Sequence, residues 1–158
     1  MQKIVPFLWF NGQAEEAVSF YLSIFKRSKI VHVMRCGEAG PGPKGSVLTI
    51  NFQLEGQDFI ALNGSGEFAF SPAISLFVKC ADQREVDRLW NRLLKGGKKW
   101  QCGWLHDKFG VTWQIVPTIL LDLIQDKDAA KSARVMKAMM KMTKIEIAKL
   151  KRAAKGRR

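Results

Sequence analysis

Gln114 is a lone amide inside a β-branched and aromatic run, Val111 to Val116. A neutral amide in apolar surroundings donates and accepts at once, which suits it to orienting an uncharged ligand. The alternative is an amide satisfied by a neighbouring strand or by water. Cys102 stands beside Gly103 and four residues before His106, the residue types of a Cys–His nucleophile pair. Across a turn their side chains need not meet, and a buried structural thiol is the other reading. Trp9, Trp100, Trp104 and Trp113 can stack a planar ligand or pack a core or a dimer. The loop Gly37 to Gly45 holds four Gly and two Pro. It lacks Gly-Lys-Ser/Thr and leads into β-type sequence, so it reads as a flexible loop over a cleft rather than a phosphate cradle.

These groups need a scaffold, and the chain supplies one twice. Ile4 to Phe10 reads as a strand, with Pro6 at an edge or bulge. Ala14 to Phe25 has helical spacing, with Glu15 and Glu16 in the first turn. Ser28 to Arg35, Ser46 to Leu54 and Gln57 to Leu62 read as strands, and Asn63-Gly64-Ser65-Gly66 breaks the last. The pattern then restarts. Ala73 to Lys79 is a strand and Gln83 to Leu94 a helix with Val86, Leu89, Trp90 and Leu93 on one face. Lys98 to Trp104 and Val111 to Val116 are further strands around the turn Asp107-Lys108-Phe109-Gly110. Phe20-Tyr21 matches Leu89-Trp90, and the same offset lays Phe7-Leu8 over Leu76-Phe77. Each half is strand, helix, then about three strands.

Beyond Pro117 the reading is helical. Thr118 can cap a helix from Ile119 to Gln125, Asp128 a second from Ala129 to Met142, and Thr143-Lys-Ile-Glu146 has the capping-box pattern for a third. Val135, Met136, Met139 and Met140 form an apolar side suited to packing on the body or a partner subunit.

Composition narrows the function classes. Cys36, Cys80 and Cys102 are odd in number with no C-x-x-C pair, so they read as free thiols, not a disulfide frame or zinc site. No apolar run reaches bilayer length, and Met1 to Phe10 lacks signal-peptide features, so a cytoplasmic location without membrane attachment is expected. The net charge is +12. Residues 1–126 carry 14 Lys and Arg against 12 Asp and Glu, whereas residues 127–158 carry 12 against 2. The basicity belongs to the tail. It reads first as a solvated helical face, so nucleic acid is not the expected partner; a nucleic-acid or regulatory contact through the tail is the alternative.

The doubled βαβββ unit resembles the vicinal oxygen chelate superfamily, which includes glyoxalase I, bleomycin-resistance proteins and extradiol dioxygenases. More narrowly, several segments resemble the PhnB-like family that carries the label 3-demethylubiquinone-9 3-methyltransferase. They are Pro6-Phe-Leu-Trp-Phe-Asn-Gly-Gln-Ala-Glu-Glu-Ala17, Phe20-Tyr21, Gly37-Glu-Ala-Gly-Pro-Gly42, Phe59-Ile-Ala-Leu-Asn-Gly64, Gln101-Cys-Gly-Trp-Leu105, Asp107-Lys-Phe-Gly110 and Trp113-Gln-Ile-Val-Pro117. The resemblance implies an α+β fold: two tandem modules, about 1–66 and 71–117, forming a cup-shaped mixed sheet, with a basic helical extension at 118–158. It also implies a homodimer.

The superfamily's enzymes hold a divalent metal through His or Glu on the first and last strands of each module. Here those positions fall near Pro6, at Ile60 or Ala61, at Ala73 or Ser75, and at Gln114, none a good donor. Neither a metal nor another cofactor is expected. The methyltransferase label finds no support in residues, because Asn11-Gly12 is not the Gly-rich turn of an S-adenosylmethionine site. The resemblance implies a cup lined by Leu8, Phe10, Ala61, Ser75, Cys102, Trp104 and Gln114, binding a small, partly apolar or aromatic molecule. An enzyme (lyase, isomerase, dioxygenase or the labelled methyltransferase) is the alternative.

Overall fold

The computed structural model describes residues 2–156. The chain divides into two compact units after Phe70. In the first, β1 (Phe7–Asn11), α1 (Ala14–Ile24), β2 (Ser28–Arg35), β3 (Val47–Leu54) and β4 (Gln57–Gly64) follow in order. They build one sheet in the order β1-β4-β3-β2. The β1–β4 pair is parallel, and the other two pairs are antiparallel. One face carries Leu8, Phe10, Ile50, Phe52, Phe59 and Ala61, brought into line by register. Tyr21 of α1 stacks on Phe52 at 6.5 Å between ring centroids, so this is the face α1 covers. The sequence breaks β4 at Asn63; the strand instead continues through Gly64, because both residues still pair with Phe10 and Asn11. Asn63 then serves α1: its Oδ1 accepts from the Ala14 backbone N–H, an orphan donor of the first turn.

The second unit repeats the plan with β5 (Leu76–Cys80), α2 (Gln83–Leu93), β6 (Lys98–Lys99), β7 (Trp104–His106) and β8 (Thr112–Pro117), in the order β5-β8-β7-β6. Here α2 caps itself: Asp82 accepts from the Glu85 N–H, and Glu85 accepts from the Ala81 N–H. Trp90, Leu89, Leu93 and Val86 are buried, as are Trp113, Ile115, Leu105 and Cys80 on the sheet. The single strand expected from Lys98 to Trp104 is split. Cys102 and Gly103 take left-handed φ of 59° and 81°, and their N–H groups turn aside to Met142 and Thr143 carbonyls.

Three helices complete this unit: α3 (Thr118–Ile124), α4 (Ala129–Met139) and α5 (Ile147–Lys155). They close a core of Val116, Leu120, Val135, Met142, Ile145 and Leu150. Asp128 caps α4 by accepting from the Lys131 N–H. The capping box expected at Thr143–Glu146 does not form. The chain stays non-helical through Ile145 while it pairs with Cys102 and Gly103, and α5 opens at Ile147, whose N–H is met by Gln83 Oε1 of α2. Among the described residues no helix is long and apolar enough to cross a membrane.

Candidate functional site

The two sheets can be aligned residue by residue, and the alignment corrects the sequence reading. Phe10 and Cys80 are the last buried residues of their first strands. Phe10 lies four residues before the start of α1, but Cys80 only three before α2. The first connection, through Asn11 and Gly12 at φ 65°, is one residue longer. Helices therefore match at one offset and strands at another. Phe7 corresponds to Phe77, since each pairs with the last strand at Ile60 and Gln114 respectively. A one-residue slip reverses every side chain on a strand. Leu8, Phe10 and Ala61, expected in the cup, thus lie on the α1-covered face, with Phe10 2% and Ala61 0% exposed.

Ser75, Trp104 and Gln114 fare differently. Gln114 pairs with Phe77 on one side and Trp104 on the other, and Thr112 pairs with His106. By strand alternation these residues share the face opposite α2. Gln114 Nε2 donates to Ser75 Oγ at 2.8 Å. Whichever way the amide is oriented, the couple keeps one acceptor and one hydroxyl or amide donor for a third molecule. Aromatic rings border it. Trp100 meets Trp104 edge-on at 6.1 Å and His106 at 5.1 Å. An open groove of about 480 Å³ runs between Pro72, Ala73, Trp100, Gln101, Cys102 and Trp104.

The β7–β8 turn holds this face rigid. Buried Asp107 accepts from the Phe109 and Val111 N–H groups at 2.9 and 3.0 Å through Oδ1, and from Trp113 Nε1 at 2.9 Å through Oδ2. Trp113 is thereby fixed under the sheet and Gln114 above it.

Cys102 and His106 do not form a nucleophile pair but bond other residues. His106 Nδ1 bonds Thr112 Oγ1 at 2.9 Å, and Cys102 Sγ lies 3.9 Å from Met140 Sδ. Cys80 is no nucleophile either: burial, then the nearby Glu85 charge, push its thiol up to about 12. Phe77, which was not among the residues expected in the cup, shares the Gln114 face, and parity from Gln114 across a correctly registered parallel pair would have found it. The Gly-rich loop is closed by Cys36 and Gly45–Ser46 backbone bonds and borders a groove of about 550 Å³ with Trp9, Glu15 and Glu67.

A resident divalent ion does not suit this donor set. Gln114 and Ser75 are neutral and bonded to each other, and Ile60 occupies the matching place in the first sheet. No three His, Cys, Asp or Glu side chains come together among the described residues.

With this geometry in view, the relatives are informative. A family model described as 3-demethylubiquinone-9 3-methyltransferase matches residues 2–116, so the chain belongs to that PhnB-like family. The PhnB protein from Bacillus cereus is 40% identical, with 73% of this chain and 99% of that chain covered and a TM-score of 0.67. Protein PA1353 from Pseudomonas aeruginosa is 22% identical over 74% of this chain and 98% of its own, with a TM-score of 0.62. The fosfomycin resistance protein FosX from Listeria monocytogenes, solved with Mn(II) and sulfate, is 13% identical over 72% and 90%, with a TM-score of 0.50. The last two establish the fold alone, an α+β arrangement with mixed four-stranded sheets. No curated protein matches the chain. The family match ends before α3.

Proposed function

We propose that the chain binds a small, uncharged, partly aromatic molecule on the second sheet, without a resident metal. The rings of Trp100, Trp104 and Phe77 supply the apolar wall, and Gln114 with Ser75 orients the polar end. The observation carrying this reading is the 2.8 Å Gln114–Ser75 hydrogen bond, set among aromatic side chains at a strand position that the superfamily's enzymes give to a metal-binding carboxylate. A neutral couple there selects a neutral ligand, because a charge would be desolvated without a counter-charge.

The test begins with protein purified without chelator. Its metal content is measured, and any small molecule released on denaturation is identified by mass spectrometry. Titration of that molecule against tryptophan fluorescence then gives an affinity. Gln114→Leu is expected to weaken it roughly tenfold to a hundredfold, the loss of one buried polar contact. Unchanged affinity in Gln114→Leu, or one tightly held divalent ion per chain, would overturn the reading. The second reading is catalysis, favoured by the family's methyltransferase description. It predicts turnover of the co-purified molecule, which simple binding does not.

A further inference from the structure

The helical extension has an outward face that the small-molecule site does not use. We infer that α4 and α5 form a docking surface for the phosphate backbone of a nucleic acid. The sequence alone reads this basicity as a solvated face; three structural observations argue for more.

First, Asp126, Asp128 and Glu146 of the extension are already engaged, which leaves Asp122 of α3 as its one other acid. Asp128 caps α4, and Glu146 pairs with Lys149. Asp126 and Asp87 pair with Lys131 and Lys144. No carboxylate of the described residues forms an ion pair with Arg134, Lys137, Lys141, Lys151, Arg152 or Lys155, so their charge is uncompensated. Second, these cations are aligned. Arg134 and Lys137 lie one turn apart on α4, with Lys141 in the turn just beyond it, and Lys151 and Arg152 each lie one turn before Lys155 on α5. Arg134 joins the sets: its Nε and Nη2 donate to the Ala153 and Ala154 carbonyls at the end of α5. A groove of about 480 Å³ there is lined by Arg134, Arg152, Ala153, Lys155 and Gly156. Third, the apolar sides of both helices are consumed in their own core through Val135 and Leu150. Of the large apolar side chains from Ala129 to Gly156, Met136 and Met140 are the exposed ones, too little to seat a helix in a bilayer. A cationic face without an apolar one fits a phosphodiester backbone better than a lipid surface.

The experiment uses the full chain and a fluorescently labelled duplex of about 20 base pairs, read by anisotropy. If about four phosphates are neutralised, log K falls with log salt at a slope of about −3.6, or roughly 150-fold between 50 and 200 mM salt. A variant carrying Lys137→Gln, Lys141→Gln, Arg152→Gln and Lys155→Gln is expected to lose roughly 100-fold at 50 mM salt and most of that slope. A control with four exposed cations of the body replaced (Lys3, Lys26, Lys29 and Lys95 to Gln) loses equal charge and is expected to bind within about threefold of the original. Circular dichroism checks both folds, and the slope of the unaltered chain stands as a measurement independent of either variant. A slope near zero, equal weakening by the two variants, or retention on anionic lipid vesicles with none on the duplex would each overturn the proposal.

Discussion

The two modules share a plan and differ in what their last strands present. Where β8 offers Gln114 bonded to Ser75, β4 offers Ile60. Where α2 caps itself through Asp82 and Glu85, α1 borrows Asn63 from the sheet. The hairpin turns differ as well. The β3–β4 turn is Glu55-Gly56, both at positive φ, with Glu55 paired to Arg27 in solvent. The β7–β8 turn is built on a buried carboxylate with three donors. The first module thus spends its polar groups on its own architecture, and the second holds a polar couple free on a stiffened sheet. The same scaffold is used twice, and a few strand positions set the two sheets apart.

The largest expected effects test whether the units are separate cores. Phe52→Ala empties the Tyr21–Phe52–Phe59 stack, and Leu150→Ala empties the extension core. Each is expected to cost about 3–5 kcal/mol. Hydrogen exchange should accelerate in β3, β4 and α1 for the first and in α3–α5 for the second. Exchange that rises equally throughout the chain in both variants would show one core instead of two.

Next come the turns. Asp107→Asn keeps one acceptor for the two backbone donors but points an amide donor at Trp113 Nε1. A cost of about 2–3 kcal/mol is expected, read from the urea midpoint, with weaker ligand binding because Gln114 is the next residue along. Glu55→Gln at the other turn is expected to cost less than about 0.5 kcal/mol. Equal costs would remove the contrast between a structural and a solvated turn.

Thiol labelling sharpens the comparison within the second unit. Cys102 borders the groove and is half-buried, while Cys80 is fully buried and hard to ionise. Maleimide is expected to modify Cys102 in the folded protein at least tenfold faster than Cys80, which should react only on unfolding. Bound ligand should slow labelling at Cys102. Labelling of Cys80 at the faster rate would place that strand's face in solvent.

Much of the fold was legible because periodicity is a property of whole segments. The helix faces of Ala17-Tyr21-Ile24 and Val86-Trp90-Leu93 reveal the repeat without any contact being known. The site was only half legible. Ser75, Trp104 and Gln114 share one sheet face, as parity within one module allows, whereas Leu8, Phe10 and Ala61 were placed in the cup by the resemblance and lie on the α1-covered face. One extra residue in the Asn11–Gly12 connection leaves the helices in phase and inverts the strand. Nothing in hydropathy distinguishes the two registers there, since Phe7, Leu8, Trp9 and Phe10 are all apolar. The stalled start of α5 was hidden for a related reason: Thr143 and Glu146 satisfy a local rule, while Cys102 and Gly103, distant in sequence, claim the carbonyls of Met142 and Thr143.

The smallest expected effect concerns acid, and each module supplies one test group. Asp87 is held below its ordinary range by its hydrogen bond to Lys144, and Glu55 by its bond to Arg27. A carboxylate depressed in the folded state contributes stability that is present above its unfolded pKa and is lost as pH falls through the lower, folded value. Both contributions are therefore intact at neutral pH and should fade below about pH 4. The carboxylates are 42% and 41% exposed, so solvent screening limits each to about 0.5 kcal/mol or less. Their positions differ more than their energies. Glu55 joins residues already tied by the Glu55 N–H to Arg27 carbonyl bond, whereas Asp87 ties α2 to the segment leading into α5. Asp87→Asn is thus expected to lower the protection factors of residues 142–147 about twofold at pH 7, with those of β7 unchanged. Glu55→Gln should leave exchange within its unit unaltered. If Asp87→Asn leaves residues 142–147 unaffected, the extension is held by its apolar core, the Cys102–Gly103 bonds and the Gln83 bonds to Ile145 and Ile147, and the ion pair contributes nothing to its attachment.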